Sequence, residues 1–201
     1  MVNKVEKKVL GINGSPRKNG NSDSLLKHFM DEVDKKGIEN KSLYLRDYDF
    51  KGCIGCERCR KDKICTGLKD DMSTFYPDII SSQSLVMVCP THNYNITAWM
   101  KAFIDRLYCF YEFTASRPGE WSSQLANQNR KAVIIAICEQ EDEDDMGFTV
   151  DAMKRPLEAL GFEICTVIKV LKCFDRGKVN QDAELLEKIE RAAADLADSM
   201  K

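Results

Sequence analysis

The sequence has no excess of either charge and no long apolar run. Its 201 residues carry 30 basic and 32 acidic side chains, a formal net charge of -2. No global field therefore favours nucleic acid, and no DNA- or RNA-binding signature is recognisable. The longest apolar runs, 85–90 and 133–138, fall far short of the roughly 20 residues that cross a bilayer. We expect a protein that binds neither nucleic acid nor membrane.

Cysteine is plentiful but odd in number, with nine thiols. Residues 1–8 lack the apolar stretch of a secretory signal, so we expect reduced thiols in a cytoplasm. A chain of this length can bury about 70% of the surface that its unfolded form would expose, without help from disulfides. No internal repeat or low-complexity linker divides it, and we expect one domain over 1–201.

The hydrophobic pattern alternates between strands and helices along the whole chain. Residues 85–89 and 133–138 are apolar without alternation, which is typical of parallel strands buried on both faces. The alternation predicts five βα units in a doubly wound α/β sandwich. Predicted strands cover 7–13, 39–46, 84–90, 131–138 and 163–170, and predicted helices cover 22–36, 70–81, 97–112, 147–160 and 181–199.

The first predicted strand opens into a loop at 14–22 that suits an anion. In open α/β sheets, ligands bind at the carboxyl ends of the strands, and the following helix presents its positive end there. The loop follows neither the Walker pattern nor the Gly-x-Gly-x-x-Gly pattern. The alternative is an ordinary turn whose Ser or Asn caps the helix. The candidate donors and charges are those of Ser15, Arg17, Lys18, Asn21 and Ser22.

Four cysteines crowd a loop at 50–68: Cys53, Cys56, Cys59 and Cys65, with two, two and five residues between them. Three thiols at three-residue spacing can wrap one face of a 4Fe-4S cluster while a fourth closes it. Flanking lysines and arginines would offset the negative charge of such a cluster. Free or redox-active thiols are one alternative. Zinc is another, less favoured because structural zinc sites usually place a longer segment between two Cys-x-x-Cys pairs.

Three segments together resemble a known family. Residues 14–22 resemble the FMN-phosphate loop of the flavodoxin-like NAD(P)H-dependent FMN reductases. Residues 89–97, followed by 100–106, are similar to that family's isoalloxazine loop and the helix behind it. The cysteine spacing is similar to that of the iron-sulfur flavoproteins, a branch in which such a motif holds a 4Fe-4S cluster near the FMN. The resemblance covers residues 7–112 well and the remainder only by fold.

The resemblance implies a flavodoxin-like parallel sheet of strand order 2-1-3-4-5, FMN as cofactor, and a homodimer or homotetramer. It implies an oxidoreductase that takes electrons from NAD(P)H or a reduced protein donor to a small acceptor such as a flavin or quinone. A 4Fe-4S cluster, if present, would exchange single electrons with the FMN. The implied FMN-binding residues are Ser15, Arg17, Asn19, Asn21 and Ser22 in the first loop, and Pro90, Thr91, His92, Asn93, Tyr94, Asn95 and Ile96 in the second.

Two positions depart from the family pattern. His92 stands where many relatives have an aromatic residue beside the flavin. Residues 139–145 hold six acids where relatives often have a small, Gly-rich third loop. These carboxylates would repel a phosphorylated nucleotide if they faced the site, and we expect them to face solvent.

Other functions are also compatible with the sequence. The same fold admits a non-catalytic electron carrier or a thiol redox sensor, and a domain that binds another phosphate ligand. No catalytic acid or base is expected, since flavin hydride transfer does not require one. The aromatic residues Tyr108, Phe110, Tyr111, Phe113 and Trp121 suit a core, a subunit interface or a place over the flavin. The cysteines outside the cluster motif are expected to be structural, with Cys89, Cys138 and Cys165 acting as small hydrophobes in strands.

Overall fold

A computed structural model of the protein describes residues 5–116 and 119–200. In this structure the strands form one large sheet and one small hairpin. The strands are β1 (Glu6–Asn13), β2 (Glu39–Tyr44), β3 (Ser82–Pro90), β4 (Tyr111–Phe113), β5 (Trp121–Ser123), β6 (Arg130–Ile137) and β7 (Phe162–Val170). The large sheet is all-parallel, in the order β2-β1-β3-β6-β7. This is the predicted order 2-1-3-4-5 once the hairpin is set aside, so the flavodoxin-like fold is confirmed.

Helices cover both faces of this sheet. They are α1 (Asn21–Lys35), α2 (Cys59–Asp62), α3 (Phe75–Ser81), α4 (Ala98–Arg106), α5 (Thr149–Ala159) and α6 (Ala183–Asp198). The apolar stripes of α1 and α6 pack on one face, and those of α3, α4 and α5 pack on the other. Within the described ranges, none of these helices combines the length and the apolar character that crossing a membrane requires.

The central strands β3 and β6 explain why the sheet is parallel and covered on both sides. Leu85 and Met87 of β3 point into one core, while Val86 and Val88 between them point into the other. All four side chains are fully buried. Each contributes about 1.5–3 kcal/mol through burial, so both faces of the strand need a helical cover.

The predicted helix 97–112 is too long. The helix α4 ends at Arg106, a 3-10 turn covers Leu107–Phe110, and β4 then pairs antiparallel with β5. Aromatic residues favour strands, and here the ring of Tyr111 lies edge-on to that of Trp121 at 5.3 Å between centroids. The aromatic residues after Arg106 therefore form a 3-10 turn and a strand, and the prediction that they continue the helix is wrong.

The predicted helix 70–81 consists of two elements. Its first turn, Asp71–Thr74, is a 3-10 turn whose cap, the carboxylate of Asp70, accepts a hydrogen bond from the N–H of Met72. The α-helix begins only at Phe75, with Pro77 in its first turn, where the missing N–H of proline has no intrahelical partner to lose.

Candidate functional site

A cleft of about 450 Å³ opens at the carboxyl edge of the sheet. The loop between β1 and α1 forms one wall, the loop after β3 forms another, and the segments after β6 and β7 complete it. Its lining residues are Ser15, Pro16, Arg17, Gly20, Asn21, Ser22, Pro90, Thr91, His92, Asn93, Ile137, Glu139, Cys173, Phe174 and Arg176. The two loops that the sequence singled out therefore meet in one cleft.

The N-terminus of α1 faces this cleft without a capping side chain. The cap residue is Gly20, so no side-chain oxygen at that position accepts from the N–H groups of the first turn. The alternative of an ordinary turn closed by a Ser or Asn cap is thus wrong. Ser15 and Ser22 are almost fully buried beside these donors. Uncapped backbone donors and the positive end of a helix favour an anion.

A partly buried ion pair between Arg46 and Asp23 supports the first loop. The carboxylate of Asp23 accepts hydrogen bonds from the Asn13 amide at 2.9 Å and from the N–H of Asn19 at 2.8 Å. Both outer nitrogens of Arg46 donate to Asp23, at 2.9 and 2.7 Å, and one also donates to the carbonyl of Ser15. Sequence reasoning missed this pair because an acid in a helix's first turn and a distant arginine form no recognisable spacing.

Two residues assigned to the phosphate by resemblance also tie the loop to the segment after β7. A guanidinium nitrogen of Arg17 donates to the carbonyl of Phe174 at 3.2 Å, and the group lies 4.2 Å from that ring's centroid. The amide of Asn21 donates to the carbonyl of Asp175 at 2.8 Å and accepts from the N–H of Val179. Asn21 thus shapes the cleft through internal hydrogen bonds.

The second loop is a tight turn from His92 to Asn95. Their backbones exchange hydrogen bonds of 2.7 and 3.1 Å. Asn93 and Tyr94, between them, have φ angles of 49° and 62°. Positive φ at both central positions is the geometry of a type I′ turn, which asparagine accepts readily and tyrosine does not.

The turn is pinned by the segment that leads into α5. The N–H of Phe148 donates to the carbonyl of Tyr94 at 2.8 Å. A Cβ at Gly147 would lie 2.3 Å from that same carbonyl oxygen, so only glycine allows the two backbones to approach so closely. The strained turn is therefore held in place by its neighbours.

The predicted FMN-binding residues divide into two groups. Eight of the twelve line the cleft, and four do not: Asn19, Tyr94, Asn95 and Ile96. Ile96 is buried in the core, and Tyr94 is 58% exposed beyond the rim. The cleft also contains residues that sequence reasoning missed, from the segments after β6 and β7. Only the parallel topology, which gathers the carboxyl ends of the strands, could have indicated them.

Charge in the cleft is mixed. Burial, and then the nearby charge of Arg17, hold the pKa of His92 below its ordinary value. Most of the acidic run 139–145 is exposed, as expected, and Lys169 pairs with Glu143 at 2.5 Å. Glu139 is the member of the run that lines the cleft. The run thus keeps one carboxylate at the site and presents the others to solvent.

A second cleft, of about 360 Å³, contains all four cysteines of the 50–68 loop, and we call it the thiol pocket. Burial raises the pKa of Cys59, and the charges of Cys65, Cys53 and Cys56 raise it further, so these three cysteines lie within electrostatic reach of the Cys59 thiol. Gly67 lies against Cys56, where a Cβ would come within 2.3 Å of its sulfur. Over 5–116 and 119–200, no three His, Cys, Asp or Glu side chains converge as a single metal ion requires.

The base of the cysteine loop is closed by a buried ion pair. Arg106 donates two hydrogen bonds to Asp70, at 2.7 and 3.0 Å, and one to the carbonyl of Lys51 at 2.9 Å. Asp70 in turn accepts from the N–H of Lys51. Burial alone would raise the pKa of Asp70, but the hydrogen bonds from Arg106 and Lys51 outweigh it and hold that pKa below its ordinary value.

Of the five cysteines outside the thiol pocket, Cys89, Cys109, Cys138 and Cys173 are buried. Burial raises the pKa of Cys89 and of Cys109 to about 12, and that of Cys173 to about 11. These thiols are therefore poor nucleophiles at neutral pH. The prediction of a buried strand residue is wrong for Cys165, which is exposed because β7 is an edge strand of the sheet.

The pattern of the NADPH-dependent FMN reductase family matches residues 7–139, about two thirds of the chain. The chain belongs to this family. The match spans the first four strands of the large sheet and both predicted loops, and it ends at Glu139 in the cleft.

Curated relatives in this family carry iron-sulfur names. An iron-sulfur flavoprotein of Methanocaldococcus jannaschii is 29% identical over 128 residues, 64% of this chain and 61% of the relative. One of Archaeoglobus fulgidus is 38% identical over 99 residues, 49% of this chain and 48% of the relative. The matched region thus spans about half the length of these relatives.

Solved structures of the same fold include an FMN-dependent NADH-azoreductase of Bacillus anthracis in complex with FMN. It is 20% identical to this chain, with a TM-score of 0.71, and the match covers 95% of this chain and 99% of that one. At this identity the similarity establishes the fold.

Proposed function

We propose that this FMN reductase family member is an FMN-dependent oxidoreductase that moves electrons from NAD(P)H to a small acceptor. The observation that carries the proposal is the uncapped N-terminus of α1, which meets the 90–93 loop in one cleft at the sheet's carboxyl edge. FMN, once bound, would accept two electrons as hydride and release them singly or in pairs.

The residues of the cleft suit FMN at both of its ends. A dianionic phosphate needs donors and positive charge, which the first turn of α1, the hydroxyls of Ser15 and Ser22, and the guanidinium of Arg17 would supply. The isoalloxazine ring would lie along Pro90 to Asn93, in the loop that hydrogen bonds hold rigid. The strained turn beyond it would fix the width of the ring site.

We propose that the thiol pocket holds a 4Fe-4S cluster. All four thiols line one pocket, and Gly67 leaves the space beside the Cys56 sulfur that a side chain would fill. A cubane cluster places its four thiolate ligands farther apart than a single ion does, and its ligands in proteins are predominantly thiolates. The iron-sulfur names of the curated relatives support the same assignment.

Helix α4 joins the two sites. It begins after Thr97, whose hydroxyl donates to the carbonyl of Gly14 in the first loop and accepts from the N–H of Met100. It ends at Arg106, which lines the thiol pocket. Nine residues at 1.5 Å rise span about 13 Å, so one short helix separates the flavin loop from the thiols. This spacing favours electron exchange between the two centres within one chain.

The proposal also extends to the cellular compartment and the oligomeric state of the protein. We place the protein in a reducing cytoplasm, where its thiols stay available to iron, and expect a homodimer or homotetramer. The exposed ring of Trp121 on the β4–β5 hairpin is the candidate contact between copies. None of the five aromatic residues considered for the flavin lines the FMN cleft.

The test is anaerobic purification followed by quantification of FMN and iron on one sample, then NADH and NADPH oxidation with a quinone or free flavin as acceptor. We expect one FMN per chain, a broad iron-sulfur absorbance and steady turnover. Failure to bind FMN would overturn the proposal. FMN binding without NAD(P)H oxidation would favour the electron carrier, and FMN without iron after reconstitution would remove the cluster.

A further inference from the structure

Among the described residues that line the thiol pocket, Arg106 is the only cation. The other charged residues of the lining, within the part of the chain that the structure describes, are Glu57 and Asp105. The side chain of Arg106 is 1% exposed, so solvent does little to screen its charge. The lysines and arginines of the loop itself are exposed or half-exposed and absent from the lining.

The Arg106 guanidinium has one nitrogen without an acceptor within the described ranges. Its two outer nitrogens bond Asp70 and the carbonyl of Lys51. Its Nε is buried, and no hydrogen-bond partner for it exists among the described residues. A buried donor without an acceptor is energetically costly, so the lone Nε points to a partner outside the polypeptide.

The charge of Arg106 reaches the cysteines. Burial alone would lower the pKa of Arg106, but Asp70, Tyr76 and the charge of Cys65 raise it above its ordinary value. Cys65 and Arg106 line the same pocket, so the thiol lies within electrostatic range of the guanidinium.

We propose that Arg106 is the counter-charge that sets the electron affinity of the iron-sulfur centre held by the four cysteines, an inference that rests on the proposed cluster. Reduction adds one electron to that centre and makes it more negative. A fixed buried cation stabilises the reduced form more than the oxidised form. Arg106 keeps its protons throughout, and no bond to it forms or breaks. Asp70 partly neutralises this cation, so the pair together adjusts the potential.

Substitutions in this pair distinguish an effect of charge from an effect of structure. A charge effect shifts the midpoint potential of the centre in opposite directions in the two variants. Arg106→Gln removes the cation, and Asp70→Asn removes the anion that offsets it. We expect the midpoint potential of the centre, measured by redox titration followed by electron paramagnetic resonance, to fall in Arg106→Gln by about 59 mV or more. That corresponds to a tenfold change in the one-electron equilibrium constant. In Asp70→Asn we expect it to rise. Unchanged potentials, or shifts of the same sign in both variants, overturn the proposal.

Arg106→Lys is the control in case Arg106→Gln fails to bind the iron-sulfur centre. If Arg106→Gln binds no iron, retention of iron in Arg106→Lys at a potential near that of the unsubstituted protein supports the role of charge. Equal loss of iron in all three variants, with circular dichroism confirming that they fold, identifies a purely structural clamp and overturns the inference. If the unsubstituted protein lacks the centre, both the inference about Arg106 and the proposed cluster are overturned. If the centre is present and its potential is equal in all variants, only the inference about Arg106 is overturned.

Discussion

Gly67 and Gly52 lie in the same cysteine loop but have very different surroundings. A Cβ on Gly67 would lie 2.3 Å from the sulfur of Cys56, whereas a Cβ on Gly52 would meet only the Cβ of Ala102, at 4.0 Å. We expect Gly67→Ala to displace Cys56 and to lower the iron bound per chain at least severalfold. Gly52→Ala should bind iron normally. Equal iron contents after anaerobic reconstitution would show that Gly67 has no part in the site.

Arg17 and Lys18 are adjacent cations with different positions. Arg17 lines the cleft proposed for FMN, while Lys18 is outside the lining, 73% exposed and paired with Asp47. A hydrogen bond to a charged group contributes about 1.5–3 kcal/mol, so Arg17→Met should weaken FMN binding about tenfold or more. Lys18→Met removes the same charge and should change affinity little. Flavin fluorescence quenching measures both, and similar losses would argue against a contact between Arg17 and the phosphate.

At the level of elements, the turn after β3 stores strain. Tyr94 has a positive φ of 62°, which costs an L-residue with a side chain about 1–2 kcal/mol. Asparagine tolerates this conformation better, so Tyr94→Asn should raise the free energy of unfolding of the FMN-free protein by about 1 kcal/mol. Tyr94→Phe, which keeps the strain, should leave it unchanged. Urea unfolding measures the free energy of unfolding of both variants. A Tyr94→Asn variant that is less stable than the unsubstituted protein would disprove stored strain at this turn.

The sequence predicts an element correctly where the residue pattern that forms it fits few other structures. The strands β3 and β6 are apolar on both faces, and that pattern has few alternatives to a buried parallel strand. The β4–β5 hairpin was missed because its aromatic residues suit a helix stripe as well as a strand. The two supporting ion pairs, Arg46–Asp23 and Arg106–Asp70, join residues far apart in sequence, so no local pattern reveals them.

At the scale of the whole molecule, the Arg106–Asp70 pair makes stability depend on pH. The folded state holds the pKa of Asp70 below its unfolded value of about 3.9. The carboxylate therefore contributes stability above about pH 4, and this contribution is lost as pH falls through the lowered folded pKa. Asp70→Asn should be clearly less stable than the unsubstituted protein at pH 7, and the difference should shrink below pH 4.

An exposed ion pair provides the control for this pH dependence. Asp151 pairs with Arg155 on the surface of α5, at 3.4 Å, and such pairs contribute about 0–1 kcal/mol. Asp151→Asn should therefore change little at any pH. Denaturant unfolding at pH 7 and pH 3 measures all three proteins. A stability gap for Asp70→Asn that stays constant across this range would contradict the assignment.

The closed base of the cysteine loop has an evolutionary consequence. The N–H of Asp71 bonds the carbonyl of Asp49 at 3.1 Å, so the chain leaves and re-enters the domain at nearly the same point. Residues 52–69, between the anchoring residues Lys51 and Asp70, belong to no strand, so they could be exchanged as a cassette without altering the register of the sheet. A lineage could thus acquire or discard a metallocentre by insertion or deletion at one junction, while the flavin scaffold stays intact.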